Sequence, residues 1–170
     1  MDSGNFVNDL AAFRARMSQH QIKVGISEDW DRPGLLRNGD SLTTLGSGIR
    51  ANSDYVHLHP MPFYHNNNPE SQAWGYIQQA TQWALDHVKL PTMITETQWA
   101  WGQTDHYPGR KDVGVAQYTS FWKTFDNNCE WFKQKNVGWF LHAWKGEDTF
   151  DMVKPDGSGY VIPNWRPRKC

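Results

Sequence analysis

Met93-Ile94-Thr95-Glu96-Thr97-Gln98-Trp99 reads as a short apolar strand that ends on a carboxylate and runs at once into tryptophan, with Trp101 close behind. The strand expected over Thr92 to Glu96 is apolar or β-branched up to its terminal carboxylate and follows a proline, the composition of a buried strand rather than a helix. A Glu where a parallel strand ends is held on rigid backbone. It points into the crevice at the C-terminal ends of the strands, where barrels of βα units do chemistry. The bland alternative is a strand-end Glu that hydrogen-bonds a loop, so the neighbouring elements decide.

Working outward, the chain alternates helix and strand. Glu70 to Val88 predicts a helix, with Trp74, Ile77, Thr81, Ala84 and Val88 on one face and Pro69 at its start. Val113 to Lys133 predicts a long helix with Val115, Tyr118, Trp122, Phe125, Cys129 and Phe132 on one stripe. Val137 to Ala143 predicts the last strand. Before the central stretch, Asp54 to His59 predicts a strand stopped by Pro60 and Pro62, and Lys23 to Ser27 another. Leu35 to Ile49 predicts a weak helix, interrupted by Gly39, Gly46 and Gly48. Asn8 to Gln19 predicts a helix capped by Asn8 or Asp9, with Leu10, Phe13 and Met17 facing inward. Lys145 to Cys170 is irregular, and Asn66-Asn67-Asn68 reads as a loop tip. The order αβαβαβαβ implies an α/β fold of parallel βα units. Four units are half of a TIM-type (β/α)8 barrel, whose usual length is about 250 residues. The expectation is one partial-barrel domain over residues 1–170, with a strand missing in front of the first helix.

Composition narrows the function. The 170 residues are 38% hydrophobic and 21% charged, a globular balance with enough chain for a core. A net charge of −1 gives no reason to expect nucleic acid or an anionic membrane as partner. No apolar run approaches the roughly 18 residues of a membrane span. The start, Met1-Asp2-Ser3-Gly4-Asn5-Phe6, has neither the basic nor the apolar region of a signal peptide. Ten tryptophans are the outlier, and a surplus at strand ends favours a ligand that stacks on flat rings. Cys129 and Cys170 fit no metal spacing, which leaves a bridge or two unrelated thiols.

The segments after the strands concentrate chemistry. They carry Glu28, Asp29, Trp30, Asp31 and Arg32; then His59, Phe63, Tyr64 and His65; then Glu96, Gln98, Trp99 and Trp101; then His142, Trp144, Lys145, Glu147 and Asp148. Parallel strands should bring all four sets to one rim. Carboxylates beside aromatic rings are what glycoside hydrolysis needs: one carboxyl protonates the leaving oxygen and a second, about 5–5.5 Å away in a retaining enzyme, attacks the anomeric carbon. A rival constellation exists. His57 and His59 share one strand face, and with His142 and Glu96 they offer a divalent-metal site for a metal-dependent hydrolase.

At this point the residues resemble a known family. Ile94-Thr95-Glu96-Thr97-Gln98-Trp99 is similar to the I-T-E-T-G-W motif of glycoside hydrolase family 17, the β-1,3-glucanases and glucanosyltransferases of fungal and plant type. Val24-Gly25-Ile26-Ser27-Glu28-Asp29-Trp30 resembles that family's fifth strand, Ser53-Asp54-Tyr55-Val56 its sixth, and Gly138-Trp139-Phe140-Leu141-His142-Ala143-Trp144 its eighth. The similarity runs along nearly the whole chain and corresponds to the second half of the family's barrel. It implies a retaining β-1,3-glucan-acting hydrolase or transglycosylase with Glu96 as nucleophile and no cofactor. It also implies sugar-stacking roles for Trp30, Phe63, Tyr64 and Trp99; His59, Trp101, His142, Trp144 and Glu147 are further candidate substrate contacts by their place after the strands. Cys129 and Cys170 match two fungal-type cysteine positions, which implies a disulfide and, with the family's habit, a secreted or cell-wall location. The implied ligand is a β-glucan polysaccharide or oligosaccharide.

The departures carry information too. The family's acid/base Glu ends its fourth strand shortly before a helix start like Asn8-Asp9-Leu10, and counting back puts that position near Ser3, where no Glu stands. Without a proton donor the leaving alkoxide departs unaided, and such catalysis is worth about 10²–10⁴-fold. His142 stands where the family has Glu, Gln98 where it has Gly, and His59 where plant members have Asn. One alternative is therefore a non-catalytic glucan-binding fragment or pseudoenzyme that keeps an aromatic rim. A half barrel also has two open sheet edges, so self-association or pairing with a missing N-terminal half is expected.

Overall fold

A computed structural model of the chain describes residues 3–65, 68–105, 107–168 and 170. Met1 and Asp2 at the start, and Asn66 and Asn67 of the expected loop tip, lie outside the described residues. The chain packs as two compact units, Met1–Pro60 with Gln79–Ile94, and Met61–Gln78 with Thr95–Cys170.

The first unit is built on parallel strands. Strand β1 (Gly25–Glu28) pairs with β4 (Tyr55–Leu58), and β4 with β5 (Thr92–Ile94). The register sets Ile26 opposite Val56 and Leu58 opposite Ile94. Along β4 the alternation is strict: Val56 and Leu58 are fully buried, while Tyr55 and His57 turn to the other face. Helix α2 (Thr44–Ala51) connects β1 to β4, and α3 (Glu70–Trp83), extended by a π-helical turn over Ala84–Val88, connects β4 to β5. These are the parallel crossovers that the helix–strand alternation predicts.

The weak helix expected over Leu35 to Ile49 is instead a small antiparallel hairpin, β2 (Arg37–Asn38) and β3 (Ser41–Leu42), followed by α2. Gly39 supplies the positive φ of 59° at the turn, a conformation that glycine adopts without strain. Thr43 then starts the helix by accepting the Gly46 N–H on its hydroxyl at 3.0 Å. Helix α1 (Ser3–Ser18) begins earlier than its expected caps, so Asn8 and Asp9 are exposed interior positions. Its inward face is Phe6, Val7, Leu10 and Met17, whereas Phe13 lies off that face and is 52% exposed. The unit's core gathers Leu10, Val24, Trp30, Ile49, Val56 and Leu58. Asp54 locks its base by accepting the Val24 N–H at 2.9 Å and pairing with Arg14 at 2.7 Å.

The second unit is an aromatic cluster wrapped by helices. The expected single helix over Val113 to Lys133 breaks at Asn128 into α4 (Val115–Asn127) and α5 (Cys129–Lys135). Tyr118, Phe121, Trp122 and Phe125 line the inner face of α4 with helical spacing. Val115, expected on that stripe, is 51% exposed in the first turn. Phe125 stacks on Phe132 and packs at 4.8 Å between ring centroids against Trp139 of β6 (Gly138–Trp139). The extended strand expected to Ala143 is only those two residues long. Cys129 and Cys170 are joined by a disulfide, and Asp126 holds the same tail by accepting from Trp165 Nε1 at 2.7 Å and the Arg168 N–H at 2.8 Å. Among the described residues no helix is long and apolar enough to cross a membrane.

Candidate active site

Glu96 lies two residues beyond the end of β5, in the second unit's segment that begins at Thr95. Thr97, Gln98, Trp99 and Ala100 behind it are all buried, so the carboxylate sits at the mouth of a segment that dives into the core. Its side chain is 28% exposed, and His142 Nε2 is 3.9 Å from Glu96 Oε1. The His142–Ala143 peptide is cis.

Tyr64 joins this cluster from the other side. Its hydroxyl donates to Gln98 Oε1 at 3.2 Å. Burial, then the negative charges of Glu147 and Glu96, push the Tyr64 hydroxyl up to about 12. Tyr64 therefore remains a protonated donor through the neutral range. Glu147 is exposed, but its backbone is fixed: Asp151 accepts the Gly146 and Glu147 N–H groups at 2.8 and 2.7 Å. Trp101 braces the same loop, donating from Nε1 to the Asp151 carbonyl at 3.0 Å. Trp144 is the exposed tryptophan of the ten, 50% accessible, with Tyr160 at 5.3 Å between ring centroids.

Several expected ligand contacts have other duties. Trp30, Phe63 and Trp99 have no accessible surface, so in this structure none has a ring face on which a sugar can stack. Trp30 fills the core of the first unit and donates to the Ile26 carbonyl. Phe63 and Trp99 pack edge-to-face at 5.3 Å within the second. The three rings are core because indole and phenyl groups gain more from complete burial than from a rim position. Trp101 is half-buried and serves as a brace. His59 belongs to the first unit, where its Nε2 is 2.5 Å from Ser27 Oγ. The second unit thus brings together Tyr64, Glu96, His142 and Glu147 of the expected set and leaves Trp144 open to solvent.

The metal reading fares differently. Among the described residues, no group of three metal-ligating side chains includes His57, His59 or His142. The His57 ring stacks on Tyr55, which, with the Ser27–His59 contact, gives the paired histidines of the strand protein neighbours. Ser3, the counted-back position of the family acid, lies in the first turn of α1.

Sequence reasoning missed Arg110, Asp112 and Asp151. Arg110 is buried, with Nε at 2.7 Å from Asp112 Oδ1 and its guanidinium 4.5 Å from the ring centroids of both Phe63 and Trp99. Nothing in the stretch Pro108-Gly109-Arg110-Lys111-Asp112 distinguishes it from a solvated loop. The signal for Asp151 was equally slight, since an acidic residue after Glu147-Asp148 reads as one more surface charge.

Scans of the sequence against known protein families and against curated proteins find no match. Solved structures do match. A glycoside hydrolase family 17 β-1,3-glucanosyltransferase from Rhizomucor miehei superposes with a TM-score of 0.67 at 16% identity, covering 96% of this chain and 57% of that one. An active-site mutant of the Rhizomucor miehei β-1,3-glucanosyltransferase in complex with laminaritriose superposes with a TM-score of 0.69 at 15% identity, covering 98% and 58%. The chain thus spans a little over half the length of the solved structures it matches. The α/β expectation holds, and the parallel strands with their crossover helices form part of a (β/α) barrel of the kind those glucanosyltransferases carry.

Proposed function

We propose that this chain is the glucan-facing part of a retaining enzyme of the glycoside hydrolase family 17 type, acting on β-1,3-glucan by hydrolysis or transglycosylation, with Glu96 as nucleophile. The observation that carries the reading is the position of Glu96: a partly exposed carboxylate just past a buried strand, with Tyr64, His142 and a second carboxylate, Glu147, around it. The likeness of fold to glucanosyltransferases supports the substrate class.

In this reading the Glu96 carboxylate attacks the anomeric carbon and the leaving oxygen takes a proton from a carboxylic acid. Glu147 is the proposed donor, because it bears on the same tyrosine as Glu96 and its loop is pinned by Asp151. Tyr64, held protonated, donates its one O–H to Gln98 Oε1, which orients that amide beside the nucleophile, and takes no part as a base. His142 faces the nucleophile, with its Nε2 3.9 Å from Glu96 Oε1. The glucan lies against the exposed ring of Trp144. No cofactor enters the scheme. The disulfide supports action in an oxidising compartment, outside the cell or in the wall. Residues 1–170 form one partial-barrel domain in this proposal, completed by self-association or by a complementary half.

The test is release or transfer of sugar from a soluble β-1,3-glucan by the chain and by its Glu96→Gln variant. Activity in the parent and none in the folded variant is the expected outcome; equal turnover in both refutes the nucleophile. A second reading, a non-catalytic glucan binder, is favoured by Trp144, whose open ring needs no proton transfer to hold a sugar. It predicts binding without turnover in both proteins.

A further inference from the structure

We infer that Arg110 is a positioning residue, which fixes the Tyr64–Gln98 pair beside Glu96 by clamping the residue next to each of them. Two dipeptides of the second unit, Phe63-Tyr64 and Gln98-Trp99, span from the site to the clamp. Their outer members meet at the site, where the Tyr64 hydroxyl donates to Gln98 Oε1 at 3.2 Å. Their inner members, Phe63 and Trp99, are fully buried and hold the Arg110 guanidinium, 4.5 Å from either ring centroid.

The clamp is closed by hydrogen bonds as well as by rings. Arg110 donates to the backbone carbonyls of Phe63 and Asn68, one at each end of the segment that carries Tyr64. Its Nε and Nη2 reach the two Asp112 carboxylate oxygens at 2.7 and 3.2 Å. Asp112 in turn accepts the Glu70 N–H at 2.9 Å, and its carbonyl accepts Trp99 Nε1 at 3.0 Å. One ion pair, its arginine buried and its aspartate partly exposed, therefore ties the strand-end segment bearing Tyr64, the segment running on from Glu96, and the start of α3.

Only an arginine performs this role. Its planar guanidinium presents donors in a fixed fork and stacks on aromatic faces, while a lysine ammonium is a compact point charge that can do neither at once. The Asp112 partner offsets its charge, so Arg110 acts on the site through geometry rather than through its field. Its side chain is only 6% exposed, which removes it from direct contact with a ligand.

The functional part of this inference rests on the glucan reading; the structural part does not, and the experiment separates them. The parent chain, Arg110→Lys and Asp112→Asn are compared, each with and without Tyr64→Phe. The first readout is the Gln98 side-chain amide signal in nitrogen-15 NMR, with tryptophan fluorescence confirming a folded protein. The second is laminaritriose affinity by calorimetry. In the parent, Tyr64→Phe shifts the Gln98 amide; in Arg110→Lys that response disappears. Laminaritriose affinity falls about tenfold in Arg110→Lys, and Tyr64→Phe adds no further loss. Asp112→Asn keeps the side chain's shape and gives the same pattern in weaker form, which decides the matter where Arg110→Lys does not fold. A Gln98 response that persists unchanged in the folded clamp variants overturns the inference. Amide coupling as expected with no laminaritriose binding by the parent supports the clamp and refutes the glucan reading instead.

Discussion

Replacing both cysteines, Cys129→Ser with Cys170→Ser, tests how the C-terminal tail is held. The bridge closes a loop of 41 residues' separation. Loop-closure entropy in the unfolded chain then sets the loss at about 4 kcal/mol. The native state changes little, because a second lock remains. Asp126, itself buried, accepts from Trp165 Nε1 at 2.7 Å and from the Arg168 N–H at 2.8 Å. Each bond to a charged acceptor is worth about 1.5–3 kcal/mol, enough to keep the tail docked in the folded protein. The expected pattern is therefore a large drop in unfolding free energy with an unchanged native fluorescence spectrum, since Trp165 stays beside Asp126. The assay is urea unfolding of parent and variant, followed by tryptophan emission and by far-UV dichroism. A loss below about 1 kcal/mol refutes the entropic estimate. A shift of native emission before any unfolding refutes the second lock, and then Asp126→Asn in the variant changes nothing further.

Other predictions follow from single observations. Glu147→Gln should lower glucan turnover about 10²–10⁴-fold while leaving the fold intact, and an undiminished rate removes it as proton donor. Asp54 sits below its ordinary carboxylate range, chiefly through Arg14 and then the Val24 N–H. Its contribution is thus complete above the unfolded value of about 3.9 and is lost as pH falls through the folded one. Asp54→Ala should cost about 2–3 kcal/mol at neutral pH and progressively less in acid, and a pH-independent difference in urea unfolding contradicts that linkage. Leu58→Ala removes a fully buried side chain of β4 and should cost about 2–5 kcal/mol by the same assay.

The parts of this fold that were legible in sequence are those where a short-range rule and the tertiary structure agree. The strand expected over Asp54 to His59 has apolar residues at every second position and prolines beyond it, and β4 lies within those limits, one residue shorter at each end. The helix at Glu70–Val88 keeps its apolar spacing through Ile77, Thr81, Ala84 and Val88, all buried. Between Leu35 and Ile49 the rules conflict: helical spacing of Leu35, Leu42, Leu45 and Ile49 competes with Asn38-Gly39-Asp40, and the turn wins because Gly39 takes the left-handed conformation at no steric cost. Long-range partners decide what local pattern cannot, and Arg110 is the sharpest case. Its place between Phe63 and Trp99 depends on residues 47 and 11 positions away, so neither its own neighbours nor its type reveals it.

The same limit explains the aromatic residues of the site. A tryptophan after a strand reads alike whether it lines a rim or plugs a core, because both positions begin at a strand end. Depth separates the two, and depth is set by chain that comes later. Trp99 is sealed by Asp112 and Phe121, whereas Trp144 lies beside Tyr160 with half its surface open. A carboxylate is less ambiguous, since leaving water costs an ion far more than a ring and a buried one must be paired. Glu96 and Glu147, both kept in contact with water, remained identifiable as candidate chemistry where the rings did not. Reactive sites of this kind are therefore read more securely from their charged groups than from the aromatic walls around them.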